Sequence, residues 1–167
     1  MGLPDSPYLA PGSGKATRVI RFDKTLSVSV VADATDVGGG TSFVVPKAAG
    51  GAILKGFLIS AAAPGGTAGG AKTVQISVGT AVNANTTLSG TDVDVMVASG
   101  AKTAAFVHGD AADDHVDAYF PVDYYGRYLS SDLTLYLNCI AQSADATANP
   151  GTVTLQCTIW AFVDYLP

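Results

Sequence analysis

The sequence contains no glutamate: all 14 of its acidic residues are Asp. Charged residues make up only 14% of the chain, against roughly 25% in ordinary soluble domains. Glu, Lys, Arg, Gln and Met, the good helix formers, are all scarce, so little is available to build amphipathic helices. The six Lys and three Arg stand singly, and the net charge is −5. No basic cluster can neutralise phosphates, which excludes nucleic acid as an expected partner. No apolar run approaches the roughly 18 residues that span a bilayer. No basic stretch followed by an apolar core marks a secretory leader. A membrane is therefore not an expected partner either.

Val, Thr, Ser, Gly and Asp fill the space the helix formers leave, and this is a β composition. Hydrophobic residues are 48% of 167, enough for one domain that buries roughly 70% of its unfolded surface. The clearest pattern lies in the last third. In 133–141 the odd positions are Leu133, Leu135, Leu137, Cys139 and Ala141; in 152–163 they are Val153, Leu155, Cys157, Ile159, Ala161 and Val163. Strict alternation is the period of a strand with one buried face. The turn-rich 142–151 segment, ending in Asn149-Pro150-Gly151, suggests that the two runs form a long antiparallel hairpin. Cys139 and Cys157 fall on its inward phase, and the reading favoured is two reduced core thiols rather than a bridge.

Taken in order, residues 1–16 carry Pro4, Pro7 and Pro11 with Gly12 and Gly14. That density of proline forbids a helix and favours extended backbone. The segment reads as a frayed terminus or as an arm that orders by lying along a neighbouring subunit, with Pro4, Tyr8 and Leu9 as contacts. Residues 17–167 form the domain. Arg18 to Phe22 and Leu26 to Ala32 read as two strands joined by a tight Asp23-Lys24 turn. Asp33 to Gly40 reads as a loop, and Ser42 to Pro46 as a short strand. Ala52 to Ala62 is apolar on both phases, as in a strand covered on both faces. It leads through a Gly-rich tip to Lys72–Gly79, suggesting a second hairpin from Ile53 to Val78. Asp92 to Ala98 reads as an edge strand or a short helix. Thr103–Val107 and Val116–Val122 add two strands, and Tyr124 to Tyr128 form an aromatic bend. Eight to ten short strands with turn signals about every ten residues mark an all-β single-domain sandwich. A jelly roll is the first expectation and another Greek-key sandwich the second.

Constellations for catalysis fail on their spacing. The cluster from His108 to Asp117 holds four Asp and two His, yet it lacks the Asp-x-Asp-x-Asp-Gly…Glu order of a calcium loop. It reads as a solvated acidic loop. There is no Gly-x-Ser-x-Gly elbow, and both Cys point inward rather than toward a base. The Gly-rich 64–70 segment lacks the Gly-x4-Gly-Lys-Ser/Thr spacing of a phosphate loop, and no helix is expected after it. The expectation is no enzyme, no metal and no cofactor. The aromatics are more telling: Tyr136, Trp160 and Phe162 sit on the outward phase of the closing strands, where a solvated face carries Thr, Ser or Lys. Such residues call for a cover from the same chain or from a subunit contact.

The Pro-studded arm Pro4 to Gly14, the Ile53–Gly79 segment with its Gly-rich tip, and the closing strands to Pro167 together resemble the decoration (cement) proteins of tailed-bacteriophage heads. The resemblance implies a jelly-roll protein, commonly a trimer, that clamps the major capsid protein on the outer surface of the virion. It carries no catalytic residues with it. A carbohydrate- or receptor-binding sandwich is the competing class, with Tyr124, Tyr125 or Trp160 as stacking platforms.

Overall fold

The computed structural model describes residues 16–31, 38–66, 72–84, 87–93, 95, 104–108, 115–121, 127–142 and 151–166. Nine strands hold them: β1 (Ala16–Val31), β2 (Gly39–Val45), β3 (Ala52–Gly66), β4 (Lys72–Gly79), β5 (Ala104–His108), β6 (His115–Pro121), β7 (Arg127–Leu129), β8 (Leu133–Gln142) and β9 (Gly151–Tyr165). The one helical element among the described residues is a 3₁₀ turn, Gly90–Asp92.

The strands form two facing layers. One has the order β1-β9-β3-β6, with the short β7 beside β6 on the same edge of β3. The other has the order β2-β8-β4-β5. The two are joined at one corner, where the end of β1 pairs in parallel with β8 through Val30–Ala141 and Val31–Gln142. These two four-strand orders define a jelly roll. The all-β expectation, with the jelly roll as its first form, is met.

The core lies between the layers. Its largest fully buried side chains include Leu54, Phe57 and Ile59 of β3, Ile76 of β4, Leu135 and Leu137 of β8, and Leu155 and Ile159 of β9. Every odd residue from Val153 to Val163 is buried, as are Leu135, Leu137, Cys139 and Ala141; Leu133 is half-buried at the rim. The inward phase read from alternation is thus correct.

The expected strand partners are not. β8 and β9 do not form a hairpin: β8 pairs with β2 and β4, and β9 with β1 and β3. β3 and β4 likewise lie in opposite layers, so there is no hairpin from Ile53 to Val78. The physical reason is the topology, in which successive strands mostly cross from one sheet to the other. Alternation reports which face is buried and is silent about which strand lies alongside.

The predicted Asp23-Lys24 turn is absent as well. β1 is one strand of 16 residues, paired with β9 without interruption from Ala16–Tyr165 to Val30–Gly151. Asp23-Lys24 offers no glycine for the positive φ that a two-residue hairpin turn needs. Asp23 instead faces Thr158 on β9, whose hydroxyl donates to its carboxylate at 2.9 Å.

The doubly apolar look of β3 has a different origin from burial on two faces. The pairing with β9 steps from Leu54–Val163 to Gly56–Phe162, so Lys55 is an extra residue in a bulge. Before it Ala52 and Leu54 point inward; after it Phe57, Ile59, Ala61 and Ala63 do. One face is buried throughout, with its phase switched by one.

Two more boundaries move. Gly39 and Gly40, read as the end of a loop, open β2; the 3₁₀ turn Gly90–Asp92 is followed by buried Val93 and Val95, and the rest of the Asp92–Ala98 segment lies outside the described residues. The arm residues Pro4, Tyr8 and Leu9, the Asp110–Asp114 stretch, and Tyr124 and Tyr125 lie outside the described residues.

Candidate functional site

The two layers treat their solvent sides differently. On the β2-β8-β4-β5 layer, outward positions of β4 and β8 are covered by the chain itself. Ser77, Asn138 and Ile140 are buried there, and so is Asn83 in the segment that lies over them. The Asn138 side chain holds that segment: its amide nitrogen donates to the Ala81 carbonyl at 2.9 Å, and its carbonyl oxygen accepts from the Asn83 backbone N–H at 2.9 Å. A buried amide with both ends bonded is a satisfied anchor. Gly40 makes room for it, because a Cβ there would collide with the Asn138 carbonyl oxygen and with Val82.

On the β1-β9-β3-β6 layer no such cover exists among the described residues. The register places Arg21 beside Trp160, Trp160 beside Leu58, and Leu58 beside Tyr119, in a row across four strands. The next row toward the Ala16 end pairs Val19 with Phe162 and Phe162 with Gly56. Gly56 offers no side chain, and the rings of Tyr119 and Phe162 meet at 6.1 Å in an edge-to-face arrangement. Val19 is 54% exposed and Tyr119 57%, while Trp160, Phe162 and Leu58 are half-buried. Five large apolar side chains therefore share one solvent-facing stripe.

Below the stripe the same face turns polar. Asp23 accepts from Arg21 through Nε at 3.0 Å and Nη2 at 2.9 Å, as well as from Thr158. The Arg21 bonds foremost, with Thr158 second, hold its carboxyl below the usual range. A shallow open depression of about 380 Å³ lies here, lined by Asp23, Thr25, Ser60, Gln156 and Thr158 among others. At the other end Thr17 donates to Asp164 at 2.6 Å.

Of the aromatics expected to act together, Trp160 and Phe162 do lie side by side on β9. Tyr136 is on β8 in the opposite layer and belongs to another surface. Val19, Leu58 and Tyr119 were missed as members of the stripe. Each is a large apolar residue within a strand, but only the cross-strand register reveals that they adjoin Trp160 and Phe162. Among the described residues no group of three or more His, Cys, Asp or Glu is placed to hold a metal ion. No helix of the described residues is long and apolar enough to cross a membrane. Both cysteines are free and buried. Burial pushes the Cys157 thiol up to about 12 and raises Cys139 further, with the neighbouring Cys157 adding to it.

No protein-family model and no curated protein matches the chain. Among solved structures it is similar to a chain of empty-head turnip yellow mosaic virus, with 12% identity over 99% of this chain and 86% of that chain and a TM-score of 0.36. A chain of Desmodium yellow mottle tymovirus gives 14% identity over 99% and 90%, with a TM-score of 0.34. A chain of the virus-like particle of the extra small virus of the giant freshwater prawn Macrobrachium rosenbergii gives 13% over 95% and 86%, with a TM-score of 0.31. At these values the likenesses add nothing to the fold that the strand order defines.

Proposed function

We propose that this chain is a non-enzymatic structural protein of a viral shell, a decoration or cement protein that binds the major capsid protein and clamps neighbouring capsid subunits. The observation that carries the reading is the stripe formed by Val19, Phe162, Trp160, Leu58 and Tyr119 on a rigid sheet. Large apolar residues gathered on a solvated face are the mark of a contact surface, with Trp and Tyr as its usual anchors.

Three features support the assignment to a shell. The sequence resembles phage head decoration proteins in its Pro-studded arm, its Ile53–Gly79 segment with a Gly-rich tip, and its closing strands. An arm of about 14 residues reaches roughly 40 Å when extended, with Pro4, Tyr8 and Leu9 as its contacts. A net charge of −5 disfavours contact with a packaged genome and suits the outer surface of a virion, the protein being made in the host cytoplasm. Self-association belongs to the same reading, and the trimer is the form the resemblance implies. Many repeated weak contacts on one particle then add up through avidity.

The polar depression beside Trp160 supports one competing reading, a carbohydrate- or receptor-binding module. Sugars take hydroxyl, amide and carboxylate partners next to an aromatic ring, and this depression offers all three. Mixing the protein with empty phage heads that lack it, and separately with immobilised glycans, distinguishes the two. Co-sedimentation with heads and no glycan retention supports the clamp; glycan retention alone overturns it. Deleting residues 1–14 is expected to leave the domain folded and to weaken head binding. Unchanged binding by the truncated chain would remove the arm from the account.

A further inference from the structure

β1 has a second edge. One edge pairs with β9 along its whole length, and only Val30 and Val31 pair on the other, with β8. Among the described residues no strand pairs with that other edge from Ala16 to Ser29. Gly39 at the start of β2 sits against Leu26, Ser27 and Val28, so the part left open runs from Ala16 to Thr25, and an open edge of this kind is a template for another strand. Phe22 lies on it, half-buried against the Phe43 ring at 5.0 Å, so part of an aromatic side chain is left for a neighbour to cover.

We infer that this edge pairs with the β1 edge of a second copy, antiparallel and about a two-fold axis at Phe22. The sequence of the strand selects the register. In a two-fold antiparallel pair, the residue at the axis faces its own copy and the flanking residues face one another in mirror order. The axis must fall on a residue, because a half-residue offset would set inward side chains beside outward ones. Centred on Arg21, Asp23 or Lys24, the pair would set a charge against its like. Centred on Ile20, it sets no opposite charges face to face. Centred on Phe22, it sets Arg21 against Asp23 of the second copy, and Asp23 against Arg21 of the second copy. Both residues are 62% exposed, free to extend their existing 2.9 Å bridge into a network of four charges. Opposite charges directly across strands stabilise the pairing, and like charges destabilise it. The same axis brings the two Phe22 rings together and Lys24 opposite Ile20.

This contact does not depend on the capsid reading. It joins two β1-β9-β3-β6 layers into one continuous sheet, with the two apolar stripes on one surface. A two-fold contact makes dimers or larger even-numbered assemblies, so it also discriminates against a trimer as the only form in solution.

The test is sedimentation of the full chain across a concentration series, for the wild type and for Arg21→Asp and Asp23→Arg, alone and mixed. The wild type is expected to dimerise. Each single reversal places two like charges opposite two of the same sign and weakens self-association about tenfold or more. The equimolar mixture of the two variants sets carboxylates against guanidiniums again and associates like the wild type. An intramolecular role for the Arg21–Asp23 bridge cannot produce that rescue. Far-UV circular dichroism confirms that each variant retains its strands. A wild type that stays monomeric at high micromolar concentration overturns the contact, the charged edge then serving only to discourage pairing. Self-association indifferent to both reversals, or a mixture that fails to associate, overturns it equally.

Discussion

The two outer faces of this sandwich are both made from strands that alternate inward and outward side chains, yet among the described residues one is finished by its own chain and the other is not. Over β8 and β4, Asn138 anchors the 81–83 segment, and Gly40 keeps the space for that anchor. Over β9 and β3, Trp160, Phe162, Leu58, Tyr119 and Val19 remain at the surface. The difference teaches where binding energy is stored. A buried polar group that is fully bonded closes a surface and specifies one arrangement. A row of half-covered aromatics holds its burial energy in reserve for a partner.

Substitutions should separate these regions by size of effect. The largest belongs to the core that both faces share. Ile159→Ala removes a fully buried side chain and is expected to cost about 2–5 kcal/mol in denaturant unfolding. A smaller cost would mean that the layers can collapse onto the cavity. The closed face comes next. Asn138→Leu removes both anchoring bonds and leaves the Ala81 carbonyl and Asn83 N–H without that partner, at about 1–3 kcal/mol. Gly40→Ala forces Asn138 and Val82 to move and should cost a similar amount. If both substitutions were neutral, the 81–83 segment would not be the cover it is taken for.

The cysteines give an effect that is felt only at alkaline pH. Their thiols are raised above the ordinary value of 9.0 in the folded chain, so the folded state keeps protons that the unfolded state releases. Stability contributed this way is complete below pH 9 and is lost as pH rises toward about 12 for Cys157. The slope is at most about 1.4 kcal/mol per pH unit for each thiol. Unfolding midpoints across this range, with Cys157→Ala for comparison, check the sign. The same burial predicts that neither thiol reacts with an alkylating reagent before unfolding.

Much of the fold was legible in the sequence, and the reason is local. Alternation from Leu135 to Ala141 and from Val153 to Val163 fixes which side chains face inward, because each is set by its own strand. Pairing is a non-local property, and the jelly roll sends neighbours in sequence to opposite sheets. Hence the hairpins expected at 133–163 and 53–78 were wrong, although the inward residues of β8, β9 and β4 were right. The bulge at Lys55 shows the same limit on a smaller scale, since a phase switch looks like burial on both faces until the partner strand is known. Trp160 and Phe162 were visible as outward aromatics. Their companions Val19, Leu58 and Tyr119 were not, because they are brought in by β1, β3 and β6.

The smallest expected change in stability accompanies the most consequential change in binding. Replacing Tyr119 and Phe162 together by Ser should leave the unfolding free energy within about 1 kcal/mol, since both rings are already partly wet. Tyr136→Ser, on the opposite layer, serves as the matched control. The most direct measurement is the affinity of these two variants for empty phage heads, beside the wild type. The account predicts at least a tenfold loss for the Tyr119/Phe162 pair and wild-type affinity for Tyr136→Ser. Equal binding by all three, with every chain folded, would contradict it.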